Sequence, residues 1–324
     1  MAARKIAIFT LVICFCFGWA PFHVGAASTS DASEPICVEQ DCHLTLSYTC
    51  EQTAFADVSV RLYKIAEVSA DFQYTLTDSF TSSALVLNGI RSVGEWNTIR
   101  CTLEALIVAD NLLADAVAQT DGDGKACFEA LKPGLYLAVV GAVTQDDLHC
   151  YFDSALVALP GLSTDGNWQY QVSVASKFEI VPPGEVDDEI PFKIIKLWKG
   201  DEGRNVRPDS VEVEIFRDGE SYTKAMLCQE NNWSYSWSAK KDGAQWTVIE
   251  RNTPTGYTMT VEKRENAFVL TNTFGSGNPD EPFEPPQTGD TSNIMFYVIL
   301  MVVSGSMLLL LGCVGKKDTH EKSR

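Results

Sequence analysis

Apolar and polar residues alternate through the middle of this chain and cluster without alternation at its two ends. The runs His43–Tyr48 and Val58–Tyr63 switch character at nearly every residue, the two-residue period of a strand with one face in a core. Leu135–Val140 and Trp168–Val174 continue the series, with turn residues at Gln119–Gly124 and Pro133-Gly134 between them. One helix interrupts it. Ser92-x-x-Glu95 has the form of a capping box, and Trp96, Ile99, Leu103, Leu106 and Ile107 then share a helical face. This helix is expected to cover one end or face of the first group of strands. A second series follows: Phe192–Trp198, Val211–Phe216, Trp233–Trp237, Trp246–Glu250 and Phe268–Asn272. These short β-branched and aromatic runs, separated by turns such as Arg217-Asp218-Gly219, predict a second all-β sandwich. Between the two series, residues 179–189 contain Pro182-Pro183-Gly184 and an acidic stretch and read as a linker.

The unalternated ends are targeting segments. Arg4-Lys5, an apolar run from Ile6 to Ala20 and small residues to Ala27 predict a signal peptide over residues 1–27. At the other end Ile294–Val314 holds no charge and reaches the ~20 residues that span a bilayer. Lys316-Lys317 follow it and mark the cytoplasmic side. Residues 290–324 therefore read as a transmembrane helix with a basic tail, and 275–289 as a Pro/Gly/acidic spacer.

Composition narrows the function. The chain has 324 residues, 45% hydrophobic, with a net charge of −18. It has enough apolar residues for packed cores, and its acidity argues against nucleic acid or an anionic membrane as partner. Of the 10 cysteines, Cys14, Cys16 and Cys313 fall in the targeting segments and Cys228 stands apart. Cys37, Cys42, Cys50, Cys101, Cys127 and Cys150 cluster in the first half. Export permits disulfides, and one to three are expected here, with connectivity open and free thiols as the alternative. No Cys-x-x-Cys occurs, so no metal site is expected. Asp121-Gly-Asp-Gly124 could begin a calcium loop, but Lys132 stands where the bidentate Glu belongs, so the run reads as a hairpin turn. There is no Gly-x-Ser-x-Gly, His-Glu-x-x-His or phosphate loop, and only 4 histidines. Neither a turnover enzyme nor a cofactor is expected.

Three stretches carry resemblances. Pro285-Pro286-Gln287-Thr288-Gly289, followed by the apolar segment and basic tail, resembles the Leu-Pro-x-Thr-Gly sorting signal of Gram-positive wall proteins, with Pro285 in place of Leu. The resemblance implies a sortase as partner. Its cysteine would attack the Thr288 carbonyl, and an amine from a peptidoglycan precursor or another pilin subunit would resolve the acyl-enzyme. The chain would then be a cell-surface protein, first inserted in the membrane and finally anchored to the wall. Val60–Val68, the Asp121–Lys125 turn with Phe128, and Gly134–Leu137 make residues 37–178 similar to the N-terminal domains of pilin and wall-anchored proteins, which are prealbumin-like sandwiches. In related pilins a lysine ending this domain is the polymerising nucleophile. Lys177 holds that place without the usual Tyr-Pro, and stands equally as a solvated linker lysine.

Residues 190–274 resemble the B-type repeat of collagen adhesins, at Ile195–Trp198, Asn231–Tyr235, Glu250–Tyr257 and Leu270–Phe274. The implied fold class is all-β: two tandem prealbumin- or immunoglobulin-like β-sandwiches, the first with a helical insertion. The family joins a lysine and an asparagine through a spontaneous isopeptide bond, which implies Lys196 and Asn272 here, helped by Glu250. An ordinary Lys196–Glu250 salt bridge is the other reading, and Lys193 is a competing lysine. Burial lowers a lysine pKa and keeps a carboxyl protonated, so that the amine can attack while the acid polarises the Asn carbonyl. The expected function is structural or adhesive, with a minor or basal pilin subunit as one form of it. The alternatives are a monomeric adhesin for a host or matrix ligand, or a single-span membrane protein that is not sorted.

Overall fold

Alternating burial builds the first sandwich. In a computed structural model, the described residues are 34–50, 53–141, 143–145, 148–180 and 189–275. The predicted signal peptide, most of the linker, the sorting motif Pro285–Gly289 and the C-terminal apolar segment lie outside them. Strand β1 (Cys42–Ser47) turns Cys42, Leu44 and Leu46 inward. Strands β2 (Ser59–Val68), β3 (Tyr74–Leu76), β4 (Ala116–Gln119), β5 (Lys125–Leu131) and β6 (Gly134–Val139) follow. Next come β7 (Leu148–Phe152), β8 (Ala155–Leu159), β9 (Gln171–Ala175) and β10 (Phe178–Ile180).

One sheet has the order β9-β1-β5, and its facing sheet runs β8-β6-β2-β3, with β4 also along β2. Strand β1 pairs with β9 in parallel, His43 opposite Gln171 through Ser47 opposite Ala175. Between the sheets Leu44, Leu46, Leu62, Tyr136 and Phe152 form one core, with Tyr48 and Phe55 both edge-on to Phe152 at 5.2 Å. The Asp121 run is a tight turn: its carboxylate accepts from the Asp123 and Lys125 amides, each at 2.9 Å. Gly124 is required there, because it has φ 72° and a Cβ would come within 2.5 Å of the Tyr48 carbonyl.

Strand β2 is buried on both faces, and Tyr63 and Ile65 on its outer side meet helix α1 (Val93–Ala109). The capping box exists as predicted, with the Ser92 hydroxyl accepting from the Glu95 amide and the Glu95 carboxylate accepting from the Ser92 amide. Trp96, Ile99, Leu103 and Ile107 pack on Tyr63, Ile65, Leu135 and Leu137.

The second sandwich comprises β11 (Glu189–Lys199), β12 (Ser210–Arg217), β13 (Glu220–Cys228), β14 (Ser234–Lys240), β15 (Trp246–Arg251), β16 (Tyr257–Arg264) and β17 (Ala267–Phe274). Its sheets have the orders β14-β11-β17-β16 and β13-β12-β15. Here too the first strand has a late parallel neighbour, in this case the last strand, with Lys193 opposite Ala267 through Lys199 opposite Thr273. Phe192, Ile194, Val213, Ile215, Val248, Phe268 and Leu270 fill the space between the sheets. Helix α1 does more than cover the first sandwich. Ala105 is buried in this second core, and Leu106, Val108 and Ala109 pack against it. The protein is thus mostly β-structure with a single long helix among the described residues.

Candidate functional site

The two-residue period of β11 turns Phe192, Ile194 and Lys196 into the core and leaves Lys193 exposed on the other side. Lys193 therefore does not share the core with Lys196. Strand β17 turns Phe268, Leu270 and Asn272 inward by the same rule, and parallel pairing puts Asn272 opposite Trp198, two residues beyond Lys196. From the facing sheet, β15 contributes Trp246, Val248 and Glu250. Three polar side chains therefore converge in an apolar interior: Lys196 and Glu250 are each 3% exposed and Asn272 is fully buried.

Their geometry is close. Lys196 Nζ lies 2.7 Å from Glu250 Oε2, and Asn272 Nδ2 donates to Glu250 Oε1 at 2.8 Å. The Lys196–Glu250 contact is an ion pair by distance without hydrogen-bond alignment, and Asn272 Oδ1 has no partner. A buried, under-satisfied polar cluster of this kind is costly. Burial pulls the Lys196 amine down to about 8, against the opposing attraction of Glu250. The expected bond polarity differs in one respect: the amide nitrogen of Asn272, not its oxygen, meets the Glu250 carboxyl.

An aromatic wall closes the site. The Trp198 ring lies 4.7 Å from Lys196 Nζ and packs edge-on against Tyr257 at 5.1 Å. Tyr257 donates its hydroxyl hydrogen to Asp201 Oδ2 at 2.7 Å, and Arg207 donates to both Asp201 oxygens. The Arg207 hydrogen bonds hold the buried Asp201 carboxylate down to about 2. Asp201 and Arg207 are not among the residues predicted from the sequence, and Tyr257 enters there only as the end of the Glu250–Tyr257 resemblance. The signal available was an Asp and an Arg, Asp201 and Arg207, in the stretch between Trp198 and the next predicted strand.

The other candidates lie apart from this cluster. Lys177 is exposed in the short link between β9 and β10, with its carbonyl accepting from the Asp153 amide at 2.9 Å. Cys37, Cys42, Cys50, Cys101 and Cys127 are free thiols, contrary to the expected disulfides. The strands point them different ways. Cys42 and Cys50 face the first core as apolar groups, and burial raises the Cys42 thiol to about 11. Cys127 faces outward beside the Thr45 hydroxyl, and Cys101 lies on α1 next to Arg100. Cys150 is buried in the same core as Cys42. Among the described residues no cluster of His, Cys, Asp and Glu could hold a metal ion.

Comparison with known proteins bears on the second sandwich. Residues 192–273, from within β11 to within β17, match the Cna protein B-type domain family. A collagen adhesin of Staphylococcus aureus is 28% identical over 116 residues, covering 33% of this chain and 10% of that protein. The chain thus spans about a tenth of the length of the curated relative it matches. Among solved structures, two B repeat units of the S. aureus collagen binding protein are 15% identical with a TM-score of 0.25, covering 72% of this chain and 50% of that one. The full-length major pilin SpaD of Corynebacterium diphtheriae is 11% identical with a TM-score of 0.25, covering 74% of this chain and 98% of that one.

Proposed function

We propose that this chain is a sortase-anchored surface protein of a Gram-positive bacterium, with a structural or adhesive role, whose second sandwich is locked by an isopeptide bond between Lys196 and Asn272. The observation that carries the locking is the contact of one buried carboxyl, Glu250, with both the amine and the amide, at 2.7 and 2.8 Å. Proton transfer from Lys196 to Glu250 leaves a neutral amine. That amine attacks Cγ of Asn272; Glu250 gives its proton to Nδ2 and takes back one of the two hydrogens on the attacking nitrogen, so the new C–N bond becomes an amide as the Cγ–Nδ2 bond breaks, Nδ2 departs as ammonia and Glu250 is left protonated. No external reagent is needed, and fixed proximity replaces an encounter worth effective molarities above about 10⁵ M. The reaction occurs once per chain, so the role is structural rather than that of a turnover enzyme.

Anchoring rests on the sequence features at the C-terminus: Pro285–Gly289, the apolar segment and the basic tail. The partners are a sortase and either a peptidoglycan precursor or other pilin subunits, the latter through Lys177. Intact mass tests the lock: the chain should be lighter than its sequence by one ammonia, and an unchanged mass removes the reading. Wall extracts test the anchor. Release of the protein should require muramidase digestion in the wild type and only detergent in a Thr288→Ala variant.

A further inference from the structure

Glu250 and Arg251 are neighbours on β15 and point to opposite sides. Glu250 faces Lys196 and Asn272, whereas Arg251 faces α1 of the first sandwich. Its guanidinium donates to Glu214 Oε2 at 2.7 Å, to the Ala109 carbonyl at 2.9 Å and to Asp110 Oδ1 at 3.1 Å. Helix α1 has no basic residue in its last turn, yet its terminal carbonyls and dipole favour a cation there. The second sandwich supplies that cation. A second tie lies about two turns back. Thr102 is fully buried on α1, and its hydroxyl oxygen accepts from the Val261 amide at 2.8 Å. Val261 lies on β16, two residues from Met259, which stands opposite Asn272 on β17.

The topology gives these ties their weight. Strand β15 is the edge of one sheet and β16 the edge of the other. Each is hydrogen-bonded to its sheet on one side only, so its free side has no ladder to fix it. Helix α1 closes that open flank of the second sandwich, with Ala105 in its core. One helix thereby holds the strand that carries Glu250 and the strand that flanks Asn272.

We infer that α1 of the first sandwich positions the crosslinking groups of the second, with Arg251 and Thr102 as positioning residues, so that the Lys196–Asn272 bond forms at full rate only in the docked chain. This rests on the reading of Lys196, Glu250 and Asn272 as the bond-forming trio. The physical reason is the steep dependence of such reactions on alignment, in which a displacement of about 1 Å costs roughly a hundredfold in rate. Bond formation then reports that the first sandwich has folded and docked.

The test follows ammonia loss in time. The full chain is made in a short cell-free pulse in detergent and sampled at intervals. Molecules resistant to protease are selected, and their intact mass is read. Arg251→Ala should slow the loss roughly tenfold and Thr102→Val, a change in the other sandwich, roughly threefold, while Arg251→Lys recovers part of the rate. A purely structural role would reduce the folded yield and leave the rate of folded molecules unchanged. If folded Arg251→Ala and Thr102→Val chains lose ammonia at the wild-type rate, the positioning role is overturned and the trio stands. If the wild type keeps its full mass, the trio and the positioning role fall together.

Discussion

The two sandwiches clasp their ends in the same way and fill the clasp differently. In each, the first strand lies parallel to a strand near the end: β1 beside β9, the last but one of the first sandwich, and β11 beside β17, the last of the second. In the first sandwich the inward row of β1 is Cys42, Leu44 and Leu46, and β9 offers the partly buried Val172 and Val174. In the second the rows are Phe192, Ile194 and Lys196 against Phe268, Leu270 and Asn272. The apolar clasp is held by backbone hydrogen bonds and packing. The other carries an amine and an amide where packing alone would have favoured two more aliphatic groups. Burying such groups is a poor way to gain stability without a covalent outcome, since replacing a buried ion pair by apolar residues is often neutral or stabilising.

This contrast can be broken from either side. The largest effect is expected from Glu250→Gln, which keeps the shape of the carboxyl and removes its proton relay. The variant should retain its ammonia and lose the closure of a loop of ~77 residues, which by the chain-entropy estimate stabilises by about 4.5 kcal/mol. Intact mass and denaturant unfolding read both quantities, and a variant of unchanged mass loss and stability would reject the mechanism. In the first sandwich Leu46→Ala removes a fully buried side chain from the clasp and should cost about 3 kcal/mol. Ammonia loss would continue in that variant, because the deleted group is in the other core.

A pH effect separates the two clasps further. In an Asn272→Ala chain, which cannot crosslink, Lys196 titrates near 8 when folded and near ~10.4 when unfolded. Between those values the unfolded chain binds more protons, so stability rises with pH across that window. Below about 8 both states are protonated and the whole penalty of the buried charge is present. Urea midpoints at two pH values in the lower part of the window, below the range where the raised Cys42 thiol opposes the trend, should increase with pH, and a flat or falling trend there counts against a buried amine. A Leu46→Ala chain that has crosslinked holds Lys196 as an amide and is expected to lack this rise. The smallest effect is at the helix: Ser92→Ala removes the capping box and should cost about 1 kcal/mol, read as a lower melting temperature.

Much of this architecture is written in local patterns. The strand predicted at His43–Tyr48 spans Cys42–Ser47, and that at Leu135–Val140 spans Gly134–Val139. The helix start at Ser92 was legible because a cap is a contact between residues three apart. Strands β13 and β16 were not singled out. Glu220–Cys228 carries exposed polar residues along half its length, and Tyr257–Arg264 is buried in a run at its start, so neither alternates cleanly. Once the strand is placed, period 2 puts Lys196 in the core and Lys193 on the exposed side. What local patterns missed was the second face of α1. Thr102–Ala109 is nearly apolar all round, the mark of a helix buried on more than one side, but the partner surface is 150 residues away in sequence. The Asp201–Arg207–Tyr257 brace was missed for the same reason: its parts meet only after the sandwich closes.

Parallel pairing of β11 with β17 also changes what a protease can do. With Lys196 and Asn272 joined, the chain between them becomes a ring closed near both of its ends. A single backbone cut in an exposed turn, such as Asp218-Gly219 between β12 and β13, opens that ring without releasing either side. The segment before Lys196 and the segment after Asn272 would still be one covalent molecule. Two cuts, in different turns, would free only the piece between them and leave the connection from one end of the protein to the other intact.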